Sequence, residues 1–171
     1  MALPLPSQEE LLRMFSYDPE TGRLAWKSIS PKSYRVWIGR EAGTVKDDKY
    51  IDVRIGSHGY KAHRIIWKMM TGHDPMLHID HKDGDGTNNR WSNLREASRA
   101  NNQANRKPNR NSKSGLKGVK FRPECPRKPW QAYISVNKKH ITIGLFATAV
   151  EAAAARNAAA ERLHGEFARA T

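Results

Sequence analysis

The apolar positions of this chain change period several times, and each change marks an element. In 7-SQEELLRMF-15, Leu11, Leu12 and Phe15 recur at helical spacing behind Ser7 and Glu10, a capping-box pair, which predicts a short helix. A Pro/Gly turn in 18-DPETGRLAW-26 leads into a short strand. Tyr50, Asp52 and Arg54 then alternate with Ile51, Val53 and Ile55, the period of two of a half-buried strand. Gly56 to Gly59 reads as a hairpin turn. Ile66, Trp67 and Met70 are the apolar anchors of a helix over 63–70 that stops at Gly72.

Further on, periodicity gives way to polar side chains that fill no core. The stretch 78-HIDHKDGDGTNNRWSNLREASRANNQANR-106 predicts a strand at 77–80, a long Gly/Asn turn at 82–89, a short extended return and a helix from about Ser98. Residues 106–115, RKPNRNSKSG, have no period and read as a basic linker. LKGVKFR (116–122), WQAYISV (130–136) and KHITIGLF (139–146) are three strand candidates. An Ala-rich helix follows from Thr148, which pairs with Glu151 as a second capping box, to Gly165. Its alanines need only helix propensity to explain them.

The expected class is α+β: a small N-terminal sheet over residues 20–60, a strand–turn–strand–helix core, and a C-terminal three-stranded antiparallel sheet packed on one helix. The boundaries are 1–60, 61–106, a linker at 107–114, and 115–171. A chain of 171 residues fits one domain or two small ones. Cys125 is the only cysteine, which excludes an internal disulfide and an all-thiol metal site. No window is apolar enough to span a membrane, and MALPLPSQEE has no basic n-region, so a cytoplasmic location (the host's, if the gene is a phage's) is the expectation.

Charge sharpens this picture once it is divided along the chain. The formal net charge is +13, and residues 100–147 hold 11 Lys/Arg against one Asp/Glu, a local balance of +10. Residues 1–60 carry only +1 and residues 61–99 only +2. Such a concentrated field is expected of a polyanion-binding surface.

Asp80 and His81 are the densest chemistry in the polar stretch. His81, beside His78, is a base that can work near neutral pH, and Asp80 supplies an anionic oxygen suited to hard divalent cations. In a strand the two would face opposite ways, so the turn that follows must bring both to one cleft. Other readings of these residues stay open. Asp80, Asp83 and Asp85 do not fall at EF-hand offsets and no Glu closes the loop; Asx turns with Gly84 and Gly86 are the plain structural account. A zinc ribbon fails for want of thiols.

The residues 63-HRIIWKMMTG-72, IDHKDGDGTNNRWSNLREAS and ANNQANR together resemble the HNH nucleases, in particular phage and intron-associated homing endonucleases, over about residues 60–106. The resemblance implies a ββα-metal motif in which His81 is the general base, Asp80 a metal ligand, and Asn93 the residue that braces the loop and orients the histidine. It places the last metal-ligand position on Asn102, the variant in which an amide replaces a histidine. One carboxylate and one amide favour Mg²⁺ or Mn²⁺, one ion per active site, over Zn²⁺. His78, Arg90 and Arg95 are candidates for phosphate or active-site support, with ordinary surface roles as the alternative for the arginines. His63, ahead of an apolar helix, reads as a core or interface histidine.

From Ser114, the segments SGLKGVKFRP, WQAYI (130–134) and 141-ITIGLFATAVEAAAARNAAAERLHGEFA-168 resemble the DNA-binding domain of plant ethylene-response factors. That resemblance implies groove-facing roles for Lys120, Arg122, Trp130, Tyr133 and Lys138, with Lys117 and Lys139 on phosphates. Trp130 has a core reading beside it. In the linker, Arg106, Lys107, Arg110 and Lys113 are candidate phosphate contacts, against the alternative of a solvated spacer. The expected partner is double-stranded DNA, with no membrane. One active site per chain suits a monomer on DNA that nicks one strand, and leaves a dimer open. The expected activity is a site-specific DNA endonuclease; the alternative is a DNA-binding regulator that kept the scaffold without cleaving. RNA is disfavoured because the aromatics do not form paired stacking strands.

Overall fold

Ser7 opens the first helix as the sequence predicts. In the computed structural model, which describes residues 4–27, 38–46, 49–105, 114–136 and 139–168, its Oγ accepts from the Glu10 N–H at 3.2 Å. The Glu10 carboxylate accepts in turn from the Ser7 N–H at 2.8 Å. Helix α1 (Gln8–Met14) ends at Phe15, where the chain becomes strand β1 (Phe15–Tyr17), antiparallel to β2 (Leu24–Trp26). A separate antiparallel sheet holds β3 (Thr44–Val45), β4 (Ile51–Ile55) and β5 (His58–Lys61), in that order. The single small sheet expected over 20–60 is therefore two.

Helix α2 (Ala62–Thr71) stops at Gly72, whose φ of 86° is the left-handed conformation that glycine adopts without strain. Its buried face is Ala62, Ile65, Ile66 and Met69. Of the expected anchors Ile66, Trp67 and Met70, only Ile66 is fully buried: Met70 is exposed, and Trp67 lies half-buried against Trp91 with ring centroids 5.2 Å apart. α2 therefore turns a different stripe inward, onto Leu11, Phe15, Leu24, Val53, Ile79 and Leu94. Strand β6 (His78–His81) and strand β7 (Leu94–Ala97) form a third, two-stranded sheet, each with one residue, Ile79 or Leu94, in this core.

The chain divides into two units, Met1–Glu96 and Ala97–Thr171. The second contains helix α3 (Arg99–Asn105), strands β8 (Val119–Phe121), β9 (Trp130–Val136) and β10 (Lys139–Phe146) in the order β10-β9-β8, and helix α4 (Ala149–His164). Thr148 and Glu151 cap α4 reciprocally, as expected. Its Ala152, Ala153, Ala159 and Ala160 are buried, and Val119 and Ala132 pack in the same cluster as Ala152 and Ala153. The alanines are thus a packing surface, not only helix formers: small side chains let α4 lie close on the sheet. Gly118 shows how close. Its φ is 68°, and a Cβ there would sit 2.4 Å from the Tyr133 carbonyl oxygen and 3.0 Å from Cγ of the buried Arg156. No helix among the described residues is long and apolar enough to cross a membrane.

Candidate active site

In β6 only His78 is exposed; Ile79, Asp80 and His81 are buried in succession, so both faces of the strand are covered at its end. Asp80 is reached from β7: Arg95 Nε donates to Asp80 Oδ2 at 3.0 Å, and its Nη2 forms an ion pair with the same oxygen at 3.0 Å. His81 meets a different set of partners. Its Nε2 lies 3.0 Å from Asn89 Oδ1, and its ring stands edge-on to His63 at 5.2 Å and tilted to Tyr50 at 5.7 Å. Tyr50 and His63 are themselves 5.2 Å apart, so three rings close a triangle.

Residues 82–93 form a loop organised on Asp83. Its Oδ1 accepts from the Asp85 N–H at 2.8 Å and from Asn93 Nδ2 at 3.0 Å, and its Oδ2 accepts from Asn88 Nδ2 at 2.6 Å. Burial works against ionising this carboxyl, but those donors outweigh it and hold Asp83 below its ordinary pKa. Asn93 returns the contact, accepting from the Asp83 N–H at 3.1 Å and donating to the Asn88 carbonyl at 2.8 Å. Asp85 takes the N–H and hydroxyl of Thr87 in an Asx turn. The loop is therefore braced by Asn93, and the residue against His81 is Asn89.

The N-terminal elements back this loop. Tyr17 Oη donates to the Asn89 carbonyl at 2.8 Å, and the Trp91 N–H donates to the Pro19 carbonyl at 3.0 Å. Burial, with Asp18 and Glu20 nearby, pushes the Tyr17 hydroxyl up to about 12, so it is a donor throughout the neutral range. At the loop tip, a Cβ on Gly86 would meet the Lys49 carbonyl and the Tyr50 ring at 2.6 Å. Tyr17, Tyr50, His63 and Asn89 were not singled out for these roles in the sequence. Of their signals only the doubled Asn88–Asn89 is local; the others come from segments far away in the chain.

The remaining candidates separate by location. Arg90 is exposed, while Arg95 is turned inward onto Asp80. Asn102 is half-buried on α3, in the second unit, with its N–H on the Ser98 carbonyl at 2.9 Å. Arg106, Lys107, Arg110, Lys113 and Lys138 lie outside the described residues.

On the second unit's sheet, Ala132 and Ile134 face α4, so Gln131, Tyr133 and Ser135 face the other way. Arg122 Nε donates to Gln131 Oε1 at 2.7 Å, and Gln131 Nε2 donates to Thr142 Oγ1 at 2.8 Å, a polar row from the end of β8 across β9 to β10. Tyr133 stacks edge-on to His140 at 5.3 Å, and Lys120 and Lys139 are exposed. Trp130 departs from the groove-facing expectation: it shares the strand face of Ala132 and packs with Val119 and Phe146 in the apolar cluster. Lys117 also differs from a simple phosphate contact, since its Nζ donates to the Ala104 carbonyl at the end of α3.

Residues 60–104 match the family model described as HNH endonuclease, so this stretch is similar to an HNH-type nuclease domain. A solved structure titled "DNA binding and cleavage by the HNH homing endonuclease I-HmuI" is similar at 23% identity, over 49% of this chain and 46% of that one, with a TM-score of 0.33. The chain thus spans less than half the length of that protein. No curated protein sequence shows a significant match.

Proposed function

We propose that this protein is a site-specific DNA endonuclease that nicks one strand of a duplex by hydrolysis of a phosphodiester, with His81 as general base. The observation that carries the reading is the pairing of His81 Nε2 with Asn89 Oδ1 inside the stretch that matches the HNH family. A carboxamide oxygen only accepts, so Nε2 carries the proton in the neutral ring, and Nδ1 keeps the lone pair that takes a proton from water. The loop braced by Asp83 and Asn93 fixes Asn89 and hence the ring. Arg90, exposed beside this loop, is placed to meet the DNA backbone.

The reading includes Mg²⁺ or Mn²⁺ held by Asp80 and, by the family resemblance, Asn102. Among the described residues no group of three or more His, Cys, Asp or Glu could hold a metal. A site built on the Asp80 carboxylate therefore draws its other donors from amide, water and phosphate oxygens, which suits hard cations. When bound, the ion supplies stabilisation of charge on the phosphate and the leaving 3′-oxygen. The second unit's outer sheet face, with Lys120, Arg122, Tyr133 and His140, is the proposed duplex-reading surface, in the manner of the ethylene-response-factor domain it resembles, with exposed Lys139 at the start of β10 as a phosphate contact beside it. The linker arginines and lysines would add phosphate contacts.

A non-cleaving DNA-binding regulator is the second reading, favoured by one observation: the carboxylate of Asp80 is engaged by Arg95. One assay separates the two. Supercoiled plasmid carrying candidate sites is incubated with Mg²⁺, with EDTA and with His81→Ala protein. Nicking by wild type that is lost in the other two arms supports the nuclease; Mg²⁺-dependent nicking by His81→Ala removes His81 as the base. Tight duplex binding without any nicking favours the regulator.

A further inference from the structure

Asp80 is buried together with a cation of the protein's own. The Arg95 and Asp80 side chains are only 10% and 5% exposed, and Arg95 meets Oδ2 through both Nε and Nη2. A pair of this kind on the surface would contribute little, but here each charge is withdrawn from water and depends on the other. The two residues come from adjacent strands, β6 and β7, whose Ile79 and Leu94 are anchored in the core immediately beside them. The pair is thus held by structure and is not a chance surface encounter. Oδ2 is also one of only two oxygens that Asp80 can present to any other cation.

From this arrangement we propose that Arg95 is an exchangeable counter-ion for Asp80. In the free protein the guanidinium occupies the carboxylate; when a phosphodiester arrives, the guanidinium passes to the phosphate oxygens and Asp80 Oδ2 is released to a divalent cation. The inference rests on the metal-dependent nuclease reading and goes beyond it, because it assigns the order in which DNA and metal are accepted. The chemistry of each partner permits the exchange. A guanidinium fork fits carboxylate and phosphate alike, whereas Mg²⁺ and Mn²⁺ select oxygen donors and gain most from the carboxylate. No buried charge is left alone before or after the exchange, so the high cost of an unpaired Asp80 is avoided in both states. It follows that DNA and metal raise each other's affinity by the same factor. A purely structural Arg95, which only ties β6 to β7, would leave metal affinity unchanged.

The test is a titration of the full chain with Mn²⁺, following the free ion by its paramagnetic resonance signal, so that no turnover is needed. Without DNA, Arg95→Ala is expected to bind Mn²⁺ about tenfold tighter than wild type or better. Arg95→Lys, a point charge without the fork, is expected between the two, and it carries the comparison if Arg95→Ala does not fold. Adding Asp80→Asn to either variant is expected to abolish the gain. Sheared plasmid duplex is expected to raise wild-type affinity toward that of the Arg95 variant. If duplex raises wild-type Mn²⁺ affinity while the folded Arg95 variants bind it no tighter than wild type, the exchange is overturned and the nuclease reading stands. If none of the proteins binds Mn²⁺ with or without duplex, both fall.

Discussion

Asn89 meets His81 through its side chain, Oδ1 to Nε2 at 3.0 Å, while its own carbonyl is held by Tyr17 Oη at 2.8 Å. The histidine's orientation is thereby tied to β1, more than sixty residues earlier in the chain. A base that must present one nitrogen to water needs the other nitrogen committed, and this contact commits it.

Removing that contact tests the assignment. Asn89→Ala is expected to lower kcat about 10- to 100-fold with KM little changed, because ring orientation and tautomer are lost while DNA contacts remain. Asn89→Asp places a carboxylate on Nε2, favours the imidazolium, and is expected to move the acidic limb of the pH–rate profile to higher pH. The ring nitrogen shifts of His81 in NMR report the tautomer directly. An unchanged tautomer in Asn89→Ala would remove the positioning role.

Asn93 makes three hydrogen bonds within the loop, to the Asp83 N–H, the Asp83 carboxylate and the Asn88 carbonyl. Asn93→Ala is expected to destabilise the protein by roughly 1–3 kcal/mol in urea unfolding, at about 1 kcal/mol per bond, since the partners left behind on Asp83 and Asn88 can reach water. Asn93→Asp sets two carboxylates against each other and is expected to be worse at neutral pH, recovering on acidification.

The pH dependence of stability has two signatures. Asp83 lies below its ordinary value of 3.8, so the unfolded chain takes up its proton first; this contribution is complete above about pH 4 and is lost as pH falls through the lower folded value. His164 is also lowered, by burial first and then by Arg156 and Lys117, and here the folded state disfavours the charged ring. Stability is accordingly expected to fall as pH drops below about 6.5 through the folded value, and His164→Gln is expected to flatten that limb in urea titrations.

Gly118→Ala is expected to cost several kcal/mol and to loosen the second unit alone. The new methyl would enter a left-handed residue and press on the Tyr133 carbonyl, where only backbone movement can relieve it. Hydrogen exchange, with loss of protection confined to β8, β9 and α4, checks this. Uniform loss of protection across both units would contradict it.

On the outer sheet face, Lys120→Ala is expected to weaken binding to all duplexes alike and to reduce the salt slope by about one unit, as for one lost phosphate contact. Tyr133→Ala is expected to change sequence preference as well. Trp130→Ala, by contrast, is expected to lower stability before it touches affinity, since its ring packs in the apolar cluster with Val119 and Phe146. Filter binding at several salt concentrations, paired with thermal melts, separates the three.

What could be read from the sequence is what neighbours along the chain decide. Both capping boxes, the alternation of β4, the stop at Gly72 and the Ala-rich helix depend on residues within one or two turns of each other. The pairing of Asp80 with His81 and the doubled asparagines were visible for the same reason. The buried stripe of α2 is not legible in the sequence because Ile65, Ile66, Trp67, Met69 and Met70 offer two overlapping apolar faces. Only Phe15, Val53 and Ile79, brought in from elsewhere, choose between them.

Residue order along the chain fixes the inventory: a DH strand end, a turn rich in carboxylates and amides, an HNH-like stretch, and a basic stretch that follows it. Only the folded chain settles which amide meets the histidine and what closes over it, because Tyr17, Tyr50 and His63 reach His81 and Asn89 from three separate segments. It also decided that Arg95 faces inward: a strand residue points to one face or the other, and only the burial of Asp80 on the neighbouring strand makes the inner face the favourable one for a cation.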